Sequence, residues 1–104
     1  MSSTDLDFDN FVLSNIRCPV VVTSEDYAMS LSDYVVLAQG TTVTLPLADR
    51  ARLRGKFVII KNTSASSTLN IEESGSPPVT VAQLAPGVVG HFIYADNSWA
   101  NITP

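Results

Sequence analysis

The sequence predicts a small all-β domain, and three features of the chain support this prediction. Short runs rich in Val, Ile, Thr and Tyr alternate with clusters of Gly, Pro, Asn, Asp and Ser, as strands alternate with turns. The runs recur about every ten residues, a spacing typical of antiparallel sandwiches and barrels rather than of βαβ units. The 104 residues suit one domain, because a chain of this length buries roughly two-thirds of its unfolded surface. We therefore expect a small antiparallel β-sandwich, jelly-roll-like in form, or a β-prism.

Eight strands are predicted from these runs, at residues 19–23, 33–39, 41–46, 56–62, 67–73, 79–83, 88–95 and 98–103. Helical character is confined to residues 47–53, where Pro46 suits a helix start and Gly55 a helix stop. A loop fits these residues nearly as well. No convincing internal repeat is evident.

Alternation along the strands predicts two-faced sheets. Val43 and Leu45 should lie on one face, and Thr42 and Thr44 on the other, because successive side chains of a strand point in opposite directions. The run at residues 57–61 is apolar almost throughout. It predicts a strand that is covered on both faces, by its own core and by a neighbouring subunit.

The chain divides into an arm at residues 1–17 and a β-rich domain at residues 18–104. The arm contains Asp5, Asp7 and Asp9 among apolar residues that fit a strand or a helix face equally well. We expect it to be disordered alone and ordered on a partner, for example as a strand added to an open sheet edge.

Composition favours assembly and disfavours several other functions. The chain is 45% hydrophobic but only 15% charged, against about 25% charged in typical soluble domains, so we expect part of the surface to be buried by other subunits. A net charge of −4 disfavours nucleic-acid binding, which needs a positive field. The sequence predicts neither a signal peptide nor a membrane span, and we expect synthesis in the cytoplasm. The single Cys18 permits no disulfide within the chain.

The residues needed for catalysis or metal binding are scarce. His91 is the single histidine, so a histidine-based metal cluster is excluded, and no Gly-x-Ser-x-Gly motif accompanies it. Glu72 and Glu73 are adjacent on a predicted strand and should point to opposite faces, which prevents their acting as an acid–base pair. We therefore expect a non-enzymatic protein without a cofactor or a metal.

The aromatic residues Trp99, Tyr94 and Tyr34 leave carbohydrate binding as an alternative, because aromatic rings stack on sugar faces. A Trp on a terminal strand more often closes the end of a small β-core, and we favour that role for Trp99.

The segments "DYVVLAQGTTVTLPLADRARLRGKFVIIKN", "STLNIEESG" and "PVTVAQLAPGVVGHFIYADNSWANI" resemble a module of bacteriophage tail-fibre and head-decoration proteins. In that module a Y-x-V strand leads to T-V-T-L-P, then to G-K/R-x-V-x-I-K-N, and finally to a terminal turn and a Trp. The resemblance implies a β-rich homotrimer of the virion without a catalytic site. Because the module occupies nearly all of this chain, the expected protein is a capsid decoration, or cement, protein that binds the major capsid protein. A short tail-fibre or tail component is the alternative.

Five of the six basic residues fall between residues 44 and 62, and this basic cluster suggests a docking role. The cluster would pair with carboxylates of a neighbouring arm or of the capsid, which guides register more than it adds affinity; a solvated turn is the alternative. The predicted docking residues are Asp5, Asp7, Phe8, Asp9, Phe11, Arg50, Arg52, Arg54 and Lys56. The residues predicted for a subunit interface or the core are Phe57, Ile59, His91, Ile93 and Trp99.

Overall fold

The structure is a computed structural model that describes residues 19–46, 53–95 and 98–104. The described residues form nine strands in two sheets, which confirms the predicted all-β class. The strands are β1 (Val20–Thr23), β2 (Tyr27–Ala28), β3 (Val35–Ala38), β4 (Thr42–Leu45), β5 (Phe57–Asn62), β6 (Leu69–Glu73), β7 (Val79–Leu84), β8 (Val89–Ala95) and β9 (Ser98–Asn101).

Consecutive strands alternate between the two sheets over the first two-thirds of the fold. Sheet A has the order β1-β3-β5-β8-β9, and sheet B has the order β2-β4-β6-β7. The pairs β1–β3, β3–β5, β2–β4 and β4–β6 are all parallel. The chain thus winds as a coil, contributing one strand to each sheet in every turn. The pairs β5–β8, β6–β7 and β8–β9 are antiparallel.

The expectation of a purely antiparallel sandwich is therefore wrong, because both sheets are mixed. A strand spacing of about ten residues does not distinguish the two arrangements. In an antiparallel hairpin the next strand lies beside its predecessor, whereas here it crosses to the other sheet and the strand after it returns. The direction of pairing depends on this crossing, which the spacing alone does not reveal.

Successive turns of the coil differ in length. Val20 pairs with Val35, fifteen residues further along, and Tyr27 pairs with Val43, sixteen residues further along. In the next turn the offsets lengthen to 24 residues between Val35 and Ile59 and to 28 residues between Thr42 and Asn70, which agrees with the absence of a convincing repeat in the sequence. What recurs is the alternation of inward and outward side chains and the position of the corners, as in other solenoid-like folds.

The predicted strands agree with the structure apart from one addition. Each of the eight predicted strands overlaps an observed one, and the unpredicted strand is β2. With only two residues, β2 is too short to produce an alternation pattern. The expected helical turn at residues 47–53 lies almost entirely outside the described residues.

Side chains directed between the sheets form one hydrophobic core. In β4, Val43 and Leu45 are buried while Thr42 and Thr44 are half-buried, as the alternation predicted. The buried apolar residues are Met29, Val36, Ala38, Val43, Leu45, Leu53, Val58, Ile60, Leu69, Ile71, Leu84, Phe92, Tyr94 and Trp99.

One corner of the coil is fastened by a single carboxylate. Oδ1 of Asp26 accepts hydrogen bonds from the Thr41 backbone N–H (2.8 Å), the Thr41 hydroxyl (3.0 Å) and the Thr42 backbone N–H (3.1 Å). These bonds join the β1–β2 corner to the β3–β4 corner stacked on it. The corners pack so closely that a Cβ on Gly40 would lie 2.7 Å from the Glu25 carbonyl, which explains the glycine.

The next corner of the coil, between β2 and β3, is held by a buried carboxylate. Oδ2 of Asp33 accepts hydrogen bonds from the Tyr27 hydroxyl and the Ser30 backbone N–H, both at 2.8 Å. The bond to Asp33, together with partial desolvation, raises the pKa of Tyr27 above its usual value. Tyr27 therefore connects β2 to the turn that leads into β3.

Asn62, at the end of β5, is fully buried and joins three segments. Its Nδ2 donates to the carbonyls of Ser67 (2.7 Å) and Leu84 (2.9 Å), and its Oδ1 accepts from the Ser64 N–H (2.9 Å). Its backbone also bonds to Val88 and Gly87. Because a buried amide is stabilising only when its hydrogen bonds are made, Asn62 fixes the path of the chain from β5 to β6 and from β7 to β8.

Replacing Asn62 by Ala should lower the free energy of unfolding by roughly 2–4 kcal/mol, because two carbonyls and one N–H lose their partner in the core. Urea unfolding at a fixed protein concentration measures this change. The control is Asn70→Ala, which removes an exposed bond from Gln83 to Asn70 and should cost less than about 1 kcal/mol. Equal losses in the two variants would contradict the role given to Asn62.

The Asp26 corner should make stability depend on pH in acid. The three hydrogen bonds lower the pKa of Asp26 below 3.8, the backbone bond from Thr41 being the largest cause. The stabilisation is therefore complete above pH 3.8 and is lost as the pH falls from 3.8 through the lower folded-state pKa. Asp26→Asn should flatten this part of a stability–pH curve obtained by urea unfolding.

The control for this titration is Glu25→Gln, which removes an adjacent carboxylate whose side chain accepts none of the three hydrogen bonds. A curve that is equally steep in Asp26→Asn and in the parent protein would refute the assignment.

Candidate assembly surface

The outward side of sheet A is mostly apolar, and we call it the outer A face. Pairing registers place its residues side by side, because partners across a ladder share a face. Val22 is 76% exposed and Phe57 is 46% exposed. The residues of the outer A face are Val20, Val22, Val35, Leu37, Phe57, Ile59, Lys61, Val89, His91, Ile93, Ala95, Ser98 and Ala100.

The centre of this face contains four of the five residues predicted for an interface or the core. Phe57 pairs with Ile93, and Ile59 pairs with His91. All four are exposed or half-buried. The alternation of β5 therefore leaves Phe57 and Ile59 on the outside, whereas Val58 and Ile60 enter the core.

The sequence predicted that the strand at residues 57–61 is covered on both faces. Within the chain, the core covers its inward face. The burial of β5 alternates along the whole strand, so its inward residues are sealed and its outward residues are not. Covering the outward side by a neighbouring subunit stays a prediction.

The outward side of sheet B has a different character. It presents Thr42 beside Asn70 and Thr44 beside Glu72, and the side chain of Gln83 donates a 2.9 Å hydrogen bond to Asn70. Such side chains are well solvated and need no covering. The same alternation therefore produces one outer face suited to water and one suited to a protein contact.

His91 occupies an apolar setting on the outer A face. Ile59 lies directly opposite on β5, and on the other side the Ile102 N–H donates to the His91 carbonyl at 2.8 Å. The His91 N–H donates to the Thr103 hydroxyl at 3.0 Å, so the backbone of β8 is held on this side by the residues after β9. The imidazole is half-buried among aliphatic neighbours, and its contact with a neighbouring subunit stays a prediction.

The described part of the basic cluster is not displayed as one charged patch. Arg54 is exposed, but the Lys56 ammonium lies 3.3 Å from the centroid of the Tyr34 ring. That ammonium is buried and makes no hydrogen bond within the described residues, so its contact with the ring is a cation–π interaction. The docking role of the cluster stays a prediction.

The other residues predicted for docking, Asp5, Asp7, Phe8, Asp9, Phe11, Arg50 and Arg52, lie outside the described residues.

Trp99 closes the end of the core. It is 5% exposed, its indole N–H donates to the Pro46 carbonyl at 3.0 Å, and its ring meets Tyr94 edge to face at 5.5 Å. Its backbone N–H also donates to the Glu73 carboxylate at 3.2 Å. Neither ring has a free face for a sugar, and the Tyr34 ring is covered on one side by Lys56. The three aromatics therefore do not form a stacking platform.

Within the described ranges, no group of three or more His, Cys, Asp or Glu side chains is arranged to hold a metal ion. Residues 19–46, 53–95 and 98–104 also contain no helix that is long and hydrophobic enough to cross a membrane. No family model, curated protein or solved structure matches the chain.

Proposed function

We propose that this chain is a non-enzymatic structural subunit that packs against copies of itself through the outer A face. Its most specific form is a homotrimeric capsid decoration protein of a bacteriophage, bound to the outside of the shell through the major capsid protein. The observation that carries the assembly role is the apolar character of the outer A face beside a polar outer face on sheet B.

The physical reason for self-association is the cost of leaving this face in water. Five strands about 4.8 Å apart, each four to seven residues long, give a face roughly 24 Å wide and about 13–23 Å long. Removing apolar surface from water stabilises an association by about 25 cal/mol per Å² of surface buried. A nearly continuous apolar sheet face of this size is a normal building element of subunit interfaces.

The charges of the outer A face are compatible with a second copy as the partner. Its described residues include Lys61 and His91 but no carboxylate. Lys61 is exposed, and its long stem allows the ammonium to reach solvent at the rim of a contact. Two such faces can therefore meet without burying a carboxylate of the described residues.

The assignment to a virion rests on the sequence module at residues 33–104 and not on the comparisons. The proposal includes synthesis in the host cytoplasm, a final location in the virion, and no binding of nucleic acid, in keeping with the net charge of −4. A short tail-fibre or tail component would use the same face in fewer copies.

Ile59→Lys should convert the assembled protein to single chains, because it places an ammonium at the centre of the outer A face. Sedimentation velocity measures the mass in solution. The matched control is Thr44→Lys, which alters a half-buried outward residue of a central strand in sheet B, opposite Glu72. Assembly that survives Ile59→Lys, or is lost equally in Thr44→Lys, would contradict the proposed interface.

The virion assignment predicts a high copy number. A decoration protein should be present in hundreds of copies per particle, because it follows the symmetry of the shell, whereas a tail part should be present in a few dozen at most. Quantitative gel staining of purified particles, scaled to the major capsid protein, distinguishes the two. Absence of the chain from purified particles would end the virion assignment while leaving self-association open.

A further inference from the structure

His91 lies on the outer A face among aliphatic side chains. Its ladder partner on β5 is Ile59, and on the other side the Ile102 N–H donates to its carbonyl at 2.8 Å, which places Ile102 beside it. Along β8, Val89 and Ile93 are its neighbours on the same face, because alternate residues of a strand share a face. Four aliphatic residues therefore surround the imidazole.

The elements packed beside His91 bring one charged side chain to this face. On β5 it is Lys61, diagonally across from His91. The outward residues of β9, Ser98 and Ala100, are uncharged, as are the side chains of β8 itself and of residues 102–104. Among the described residues of the face there is thus no carboxylate to neutralise an imidazolium, and the charge of Lys61 has the same sign.

The position of the imidazole is fixed by the backbone of β8. The His91 N–H donates to the Thr103 hydroxyl at 3.0 Å, and its carbonyl accepts the bond from Ile102. The imidazole is short, whereas the long stem of exposed Lys61 allows its ammonium to stay in water at the rim of a contact. A subunit that covers the outer A face would therefore bury the imidazole but not the ammonium.

Burial of the imidazole makes its charge matter to assembly. In a single chain the half-buried ring still has access to water. Under a partner surface a charged ring would lose that water without gaining a counter-ion from the described residues of the face, which is unfavourable. Assembly therefore selects the uncharged imidazole.

Histidine is the side chain that ordinarily changes charge between about pH 5 and pH 8, and His91 is the single histidine of the chain. The two described groups with shifted titration lie outside this interval. Hydrogen bonds, the largest being from the Thr41 backbone, lower the pKa of Asp26 below 3.8, and the bond to Asp33 raises the pKa of Tyr27 above 10.0. A change in assembly within the interval can thus be assigned to His91.

We propose that His91 makes assembly through the outer A face sensitive to pH, so that chains associate near neutral pH and separate in mild acid. This inference rests on the proposed function, because it concerns the same face. The direction follows from proton release: in acid the single chain holds a proton on His91 that it must lose on assembly. Each chain that loses a proton weakens the association by up to about tenfold per pH unit of acidification.

The test is the dissociation constant of assembly at pH 7.5 and at pH 5.5, measured by sedimentation velocity over a concentration series at fixed ionic strength. In the full-length parent protein this constant should be at least about tenfold larger at pH 5.5. In His91→Gln the two constants should agree within about twofold, because a glutamine amide does not titrate. Each protein is compared with itself, so a change that glutamine makes to the strength of assembly does not affect the result.

The control variant is Lys61→Met, which removes the other positive charge of the face and should keep the pH dependence. Circular dichroism at both pH values verifies that each protein is folded. A pH dependence that is lost in Lys61→Met, or retained in His91→Gln, would overturn the inference.

The same measurement separates this inference from the proposed function. A parent protein that assembles equally well at both pH values would refute the role of His91 and leave self-association in place. A parent protein that stays a single chain at both pH values and at every concentration would refute the proposed function, and the inference with it.

Discussion

The parallel stacking of strands from successive turns is the constraint on which the rest of this fold depends. Each turn contributes one strand to each sheet, and β3 can pair with β1 only if the corner after β1 takes the chain to the other sheet and back. The backbone N–H and C=O groups at the corners must therefore find hydrogen-bond partners outside the sheets. They do so by stacking: the Gln39 N–H donates to the Thr23 carbonyl and the Thr63 N–H donates to the Ala38 carbonyl. Asp26 and Asn62 reinforce these same corners through their side chains.

Alternation along the stacked strands then produces the surface properties. Every second residue of a strand enters the core, so the remaining residues decide what each sheet presents outward. In sheet B these residues are mostly Thr, Asn, Gln and Glu, whereas in sheet A they are mostly Val, Leu, Ile and Phe. The proposed assembly role follows from this difference in outward residues, since the two sheets share one core. The side chains of β8 and β9 extend the apolar face while Trp99 seals the core behind it.

Sequence reasoning located the strands but not their arrangement. The β-branched runs and turn residues mark each long strand locally, and alternation correctly placed Val43 and Leu45 on the inward face. Parallel pairing could not be predicted in this way, because partners lie fifteen or more residues apart and share burial rather than identity. Asn62 was overlooked as a structural residue. Its signal was a polar residue ending the run "FVIIKN" at a position where alternation points inward. The contact of Lys56 with Tyr34 depends on the pairing of β5 with β3, which no local pattern specifies.

The mass of the unmodified protein in dilute solution tests the central claim most directly, because an apolar outer A face should not remain in water. Light scattering coupled to gel filtration is predicted to give about three times the chain mass of 11.1 kDa. A well-folded protein of one chain mass, unchanged as its concentration is raised, would contradict the account.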